Sequence, residues 1–408
     1  MMRQAVVVVL LALLFHAYND FVPFDSYIPF SAFNATIDVH FSDSYYTARS
    51  LFRTRAGAAG AKLFSLSLEH LDLTVDVAML VGSSERVLLH ISGTHGVEGF
   101  AGSAIQAALL ERAAEENGSD AKHIPTVIFV HALNAYGFAH LRRFNEHGVD
   151  LNRNWLTPEQ FKERQVEDPN GRGYLDIYEL LNPKDLSMIH NWFWVKAIMH
   201  LATKGFDAIK QATIGGNYRF PQTLFYGGTE LEPSLALLQE FLQEHVDFDS
   251  VTKFAMIDVH TGLGPAGVDT LMLGADSDMT VARSVFTGQE YTDKVVFVHD
   301  NDNPVSRGYD GVGGFIVDGV ANLLGPQTKG NTLLLCQEFG TVAGVFILKA
   351  MVEENTMYHH SPSSVNRVPY AQKLRDVFYL HQSSSWKSEV LKRRGSDVYD
   401  RLYTYLAS

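Results

Sequence analysis

Five short runs of apolar, β-prone residues punctuate this chain: Arg86–Ser92 (RVLLHIS), Pro125–Leu133 (PTVIFVHAL), Lys253–Val259 (KFAMIDV), Val295–His299 (VVFVH) and Thr332–Glu338 (TLLLCQE). A strand with one face in water alternates apolar and polar residues. These runs hardly alternate, so each predicted strand needs cover on both faces, as in a largely parallel sheet. Between them, Gly99–Glu115, Lys184–Lys210, Glu232–Glu244 and Tyr370–Arg393 carry helical spacing and good helix formers. Gly118 and Gly205 stand near predicted helix ends. This alternation predicts an α/β protein, an α/β/α sandwich around one sheet. Residues 155–250 read as mostly helical, an insertion or cap on the same domain. No composition shift demands a second domain, although 408 residues allow two or three at about 150 each.

Composition removes several function classes. Apolar residues are 46% and charged residues 19%, enough for a large core and too little charge for a mostly disordered chain. Asp+Glu outnumber Lys+Arg by 46 to 33, a net charge of −13, which disfavours a nucleic-acid partner. Cys336 is the one cysteine, so an intrachain disulfide and a cysteine-built zinc site are excluded. Any metal must be held by His, Asp and Glu. Cys336 lies mid-strand and reads as a buried thiol, and Trp192, Phe193 and Trp194 as core or cap packing.

Near the N-terminus, Ala5–Phe15 (AVVVVLLALLF) follows Arg3. The pattern predicts a secretory signal peptide or short signal-anchor within residues 1–25, with a buried strand or helix as the alternative. The run is shorter than the about 20 residues that span a bilayer, and no other long apolar span exists. The sequons Asn34-Ala35-Thr36 and Asn117-Gly118-Ser119 fit export as a glycoprotein. The expected location is the secretory pathway or the extracellular space.

Polar groups stand where the apolar strands stop. The first cluster is Ser92-Gly93-Thr94-His95-Gly96-Val97-Glu98-Gly99, where a predicted turn leads into a helix. His95 and Glu98 are three apart, which lets both side chains converge on one point. Asp258-Val259-His260-Thr261-Gly262 offers a second imidazole. His95, Glu98 and His260 together make a three-ligand set that leaves a fourth position for water, as in catalytic zinc sites. Glu338, in QEFGT, closes the last strong strand and suits a general base beside the metal. The alternative for each is an ordinary structural role: a solvent-exposed histidine or a salt-bridge carboxylate.

Asn134–Trp155 (NAYGFAHLRRFNEHGVDLNRNW) packs Arg142, Arg143, Asn152, Arg153 and Asn154 into a short stretch of an acidic chain. Guanidinium groups grip carboxylates bidentately, so the segment suits an anion pocket. A solvated loop with weak surface ion pairs is the competing reading. The chain lacks the Gly-x-Ser-x-Gly elbow of serine hydrolases, the His-Glu-x-x-His zinc-protease helix and the phosphate-binding Gly-Lys-Ser/Thr loop.

In order, the pieces HGVE (95–98), NAYGF (134–138), RRFN (142–145), GVDLNRNW (148–155), DVHTG (258–262) and EFGT (338–341) resemble the zinc carboxypeptidase superfamily. That superfamily also holds the aspartoacylase-like and succinylglutamate desuccinylase-like deacylases. The resemblance is to a branch with HGVEG, VDLNRN, HTGLGP and EFGT motifs, and its motifs span residues 90 to 345. It implies a central mixed, largely parallel sheet and one catalytic domain over residues 26–408. It also implies one Zn2+ per chain on His95, Glu98 and His260, with Glu338 as the catalytic glutamate. Arg143 corresponds to the arginine that polarises the scissile carbonyl, and Arg142 is its rival. Asn152 and Arg153 correspond to the pair that holds a substrate carboxylate, and Asp150 to an acid that orients His95. Tyr309, in SRGYDG, is the candidate for a mobile tyrosine over the substrate.

The implied activity is zinc-dependent hydrolysis of a peptide or amide. An N-acyl amino acid deacylase of the aspartoacylase type is the alternative within that class, and an inactive binding protein on the same fold the alternative outside it. The expected partner is a small peptide or N-acyl amino acid with a free carboxylate. Two departures stand out: the interval from Glu98 to His260 is longer than in digestive carboxypeptidases, and their specificity pocket has no clear counterpart.

Overall fold

The computed structural model describes residues 35–68, 72–116, 124–168, 170–291, 294–297, 312–361 and 365–408. The N-terminal segment 1–25, both sequon asparagines (Asn34 and Asn117) and Tyr309 lie outside the described residues. No described helix is long and apolar enough to cross a membrane.

Among the described residues, eight strands form one sheet: β1 (Lys62–Leu68), β2 (Leu73–Leu80), β3 (Ser83–Ser92), β4 (Pro125–His131), β5 (Lys253–Ala266), β6 (Asp269–Leu273), β7 (Val295–Phe297) and β8 (Thr332–Gly340). Their order is β1-β2-β4-β3-β5-β8-β6-β7. The centre β4-β3-β5-β8 is parallel throughout. Antiparallel pairs, β1 with β2, β2 with β4 and β6 with β8, carry the sheet outward on each side. The helices of ten or more described residues are α1 (Tyr45–Ala58), α2 (Gly99–Glu115), α3 (Leu186–Lys204), α4 (Phe206–Gly215), α5 (Pro233–His245), α6 (Gly344–His360), α7 (Arg367–Phe378) and α8 (Ser396–Ala407).

The central strands are apolar on both faces because they feed two cores. Leu88, Phe129, Ala255, Ile257, Leu333 and Leu335 pack with α1, α2 and α8 residues such as Phe52, Ile105 and Leu402. Their neighbours Leu89, Ile128, Phe254, Met256 and Leu334 pack on the other face with Leu235, Leu238 and Phe241 of α5. Successive strand residues point to opposite faces, so one apolar run supplies both layers. The protein is therefore an α/β sandwich around a mixed, largely parallel sheet.

Several element predictions need correction. Lys184–Lys210 is two helices, because Gly205 takes φ +83° between α3 and α4. Tyr370–Arg393 is also broken: α7 ends at Phe378, Tyr379 is extended, and Ser383 caps a new helix at Ser384–Ser388. Strands β1, β2 and β6 and helices α1, α6 and α8 were not anticipated. Strand β1 reads KLFSLSL and is only partly covered, so it lacks the continuous apolar signature of the centre.

Two histidines are sealed between the sheet and α2. His131 Nε2 lies 2.9 Å from Ser103 Oγ, and Gln106 Nε2 lies 3.3 Å from His90 Nδ1. Burial pushes both imidazoles down to about 4, so both are neutral in the fold. Below about pH 6.5 the unfolded chain protonates these rings, whereas the folded chain resists until about pH 4. Their contribution is complete above pH 6.5 and is lost as pH falls, at most on the order of 3 kcal/mol per ring. Melting temperature is expected to drop across this window. The double variant His90→Phe, His131→Phe is expected to show a shallower slope of Tm against pH, whatever its absolute stability. An unchanged slope would reject the assignment.

Candidate metal centre

The sheet brings three chain segments to one end of the parallel centre. Beyond β3, His95 precedes a single turn, Gly96–Glu98, that runs directly into α2. This turn is held against the loop after β4: Val97 N–H donates to Arg142 O at 2.8 Å and Gly96 N–H to Arg143 O at 3.3 Å. A Cβ on Gly96 would fall 2.1 Å from the Gly137 carbonyl carbon, so only glycine allows the contact. In β5 and β8 the register pairs Asp258 with Cys336 and His260 with Glu338. Side chains two apart on a strand share a face, so all four point the same way.

His95 Nδ1 lies 3.0 Å from Glu98 Oε1, and His260 Nδ1 lies 3.2 Å from Glu98 Oε2. The two Nδ1 atoms are themselves 3.0 Å apart. Each ring has its other nitrogen tied to a carboxylate: His95 Nε2 to Asp150 Oδ1 at 3.1 Å and His260 Nε2 to Asp258 Oδ2 at 2.8 Å. Thr94 Oγ1 donates to the other oxygen of Asp258 at 2.8 Å. When Nε2 donates to its carboxylate, the Nδ1 lone pair faces inward. Two such lone pairs and a carboxylate meeting at one buried point suit a divalent cation with a preference for nitrogen and oxygen ligands. A second set of potential donors, His260, Cys336 and Glu338, adjoins the first.

The local charges are strongly coupled. Burial pushes Glu98 up, but His95, His260 and Arg143 outweigh it and hold the carboxylate well below its usual range. Burial likewise opposes ionisation of Asp150, and Arg143 and His95 reverse it. For His260, burial acts downward, and Asp258 overrides it and raises the imidazole well above its ordinary value. Glu338 differs: burial, with the negative charges of Glu98 and Asp258, pushes it up to about 7. A carboxyl poised near neutrality is suited to exchange protons.

His95, Glu98, Asp258, His260 and Glu338 line a cleft of about 640 Å3 together with Arg143, Asn152 and Arg153. Arg143 reaches Glu98 Oε1 at 2.8 Å and Asp150 Oδ2 at 3.3 Å. Arg153 donates from Nε to Ile214 O at 2.7 Å and stacks over Phe315 at 5.0 Å. Although Arg153 is buried, it has no ion pair among the described residues. Asn152 Oδ1 accepts from Ile316 N–H at 3.0 Å.

Arg142 is the exception among the described site candidates. It does not line the cleft; it is sealed from solvent, donates to Glu354 at 2.9 Å and Asn355 at 3.0 Å on α6, and stacks on Tyr358. It is thus tied to α6 and set apart from the cleft that Arg143 lines. Cys336 also differs from expectation: it is half-buried and faces the cleft, with its thiol pushed up to about 12 by burial. Phe193 and Trp194 are buried as expected, whereas Trp192 is exposed.

Two features were missed in the sequence. Asp258 orients His260 as Asp150 orients His95, and the Asp-x-His spacing on a strand was the available signal. The apolar wall supplied by α3, α4 and α6 had only helical spacing to announce it, which reads equally as core packing.

The chain belongs to the family described as a protein of unknown function (DUF2817), whose model matches residues 41–393. No curated protein matches it. Similar solved structures include bovine thrombin-activatable fibrinolysis inhibitor, at 12% identity and TM-score 0.43, over 87% of this chain and 99% of that one. Carboxypeptidase A from Helicoverpa armigera is similar at 11% identity and TM-score 0.43, over 85% and 75% of the two chains. Succinylglutamate desuccinylase/aspartoacylase from Rhodobacter sphaeroides is similar at 13% identity and TM-score 0.30, over 74% and 65%. What the site can do follows from its own side chains.

Elemental analysis after dialysis with a divalent transition metal is expected to give about one ion per chain. His95→Ala is expected to lose the ion. Asp258→Asn is expected to retain the ligand but weaken metal affinity by about 10–100-fold, the usual scale for a carboxylate behind a ligating imidazole. Undiminished binding in His95→Ala would exclude this centre.

Proposed function

We propose that the protein is a zinc-dependent hydrolase of amide bonds, carboxypeptidase-like in its machinery. The observation that carries this reading is the convergence of His95, Glu98 and His260 beside a glutamate, Glu338, whose carboxyl sits near neutrality. The order and spacing of the HGVE, DVHTG and EFGT motifs support the same reading. His95, Glu98 and His260 would hold the zinc, which when bound polarises a carbonyl and makes a water acidic enough to attack near neutral pH.

The remaining steps belong to the chain's own residues. Glu338 takes a proton from the attacking water and passes it to the leaving nitrogen, and its raised pKa suits both directions of transfer. Arg143 lines the cleft beside Glu98 and supplies positive charge to the oxygen that becomes anionic as the carbonyl is attacked. Arg153 is a buried guanidinium that acts on Asp150 only at a distance and makes no direct ion pair among the described residues, and a substrate carboxylate is the anion that would complete it. Asn152 lies beside it on the cleft wall. Asp150 and Asp258 keep the two imidazoles in one tautomer. The substrate is accordingly an amide with a free carboxylate on the amine half, and the products are a carboxylic acid and an amine.

We assign the chain to the secretory pathway or beyond on the strength of Arg3 and the apolar run Ala5–Phe15.

Metal-loaded protein assayed against C-terminally free peptides and N-acyl amino acids is expected to release free amine from one of the two panels. Glu338→Gln should lower turnover by at least ~10²-fold with the metal still bound. A full hydrolytic rate in that variant would refute the mechanism. Arg153→Ala should raise KM for carboxylate-bearing substrates far more than it changes kcat, because it removes binding shared by ground and transition states.

A further inference from the structure

The cleft is chemically lopsided. Apart from Lys210 of α4, its charged groups gather around the candidate metal centre and the neighbouring Arg143 and Arg153, while the wall built by α3, α4 and the start of α6 is mostly apolar. Trp194, Ala197 and Ile198 of α3, Ile209 of α4, and Val345 and Leu348 of α6 form it. Lys210 and Thr213 are the polar side chains of α4 along it, and the Thr213 hydroxyl is already donated to Ile209 O at 2.8 Å. The rim is apolar as well: Leu201, Phe206 and Leu263 line the cleft and are 48%, 68% and 37% exposed.

This wall discriminates between two kinds of occupant. A peptide would bring an N–H and a C=O for every residue, and a helical wall offers them few partners, since its backbone groups are bonded within the helices. Burying such groups unpaired is costly. A hydrocarbon chain brings no polar group and gains with each methylene removed from water. The volume of about 640 Å3 falls within the range of sites that enclose drug-sized ligands.

We propose that the substrates are N-acyl amino acids whose acyl group is a long hydrocarbon chain, held by the apolar wall of α3, α4 and α6. This rests on the amide-hydrolase reading above and narrows it to one substrate class. Hydrolysis adds water across the amide: the C–N bond breaks, the acyl carbon gains OH to give a fatty acid, and the nitrogen gains H to give the free amino acid.

The test separates the tail from the chemistry by reading binding apart from turnover. Calorimetry on metal-loaded Glu338→Gln protein measures affinity for N-acetyl-, N-octanoyl- and N-dodecanoylglycine below their micelle concentrations. Affinity is expected to climb with chain length and to be at least ~10²-fold higher for dodecanoyl than for acetyl. Ala197→Trp in the same background is expected to reduce that ratio at least tenfold by filling the wall. Thr213→Phe serves the same purpose from α4 should the first variant fail to fold.

A flat dependence on chain length would overturn the proposal, and so would equal affinity for C-terminally free peptides of matching length. Either result would leave the hydrolase reading standing if the wild-type protein cleaves acetylglycine or a peptide. Steep, variant-sensitive length dependence without release of glycine by the wild-type protein would overturn the substrate assignment and the hydrolase reading together. The same dependence with glycine release supports both.

Discussion

The backbone register between β5 and β8 is the constraint on which the site depends. Parallel hydrogen bonding sets His260 opposite Glu338 and Asp258 opposite Cys336. Period-two alternation then turns all four side chains to one face. A slip of one residue by either strand would turn its own side chains to the opposite layer and part His260 from Glu338. The apolar neighbours hold the register: Ile257, Leu333 and Leu335 are buried in one core, and Met256 and Leu334 in the other. The packing that stabilises the sheet thus also sets the chemistry at its end.

The third contributor arrives by a different route. His95 and Glu98 stand on a turn, where no ladder fixes them, and their placement depends on backbone contact between Gly96–Val97 and Arg142–Arg143. That contact also brings Arg143 to Glu98 and Asp150. The result is a dense set of ionised groups with little solvent around it, affordable only because nearly every charge has an opposite partner. Glu338 is outside that pairing and is the carboxyl pushed toward neutrality. Separation of the paired carboxylate of Glu98 from the poised one of Glu338 follows from their surroundings, since both are glutamates at strand or turn ends.

Much of this was legible in one dimension. Near-continuous apolar strands announced a sheet covered on both sides, and polar residues where the apolar runs stop announced the cluster, although β5 runs on to Ala266 and holds His260 inside its ladder. His95, Glu98, His260, Glu338, Asp150 and Arg143 do come together, because the C-terminal parts of parallel strands and the loops that follow them share one end of the sheet. Edge strands were less legible. In β1 a half-exposed face brings serines into the run and dilutes the apolar signal. Of the breaks in the long helical stretches, the one at Gly205 was marked by a glycine near a predicted helix end, whereas Tyr379 acts through backbone angles that spacing does not encode.

The sequence by itself determined the α/β class, the short local pairs such as His95 with Glu98, and the residue types available to bind a metal. These depend on periodicity and on contacts within a turn. Only the tertiary structure decided between Arg142 and Arg143. They are adjacent in an irregular loop where no period assigns a face, and the acceptors Glu354 and Asn355, more than two hundred residues away in the chain, claim Arg142. The tertiary structure likewise turned Cys336 toward the cleft and made α3, α4 and α6 into an apolar wall. A helix carries its apolar residues whether it faces a core or a cavity, and which of the two it meets depends on how distant elements pack against it.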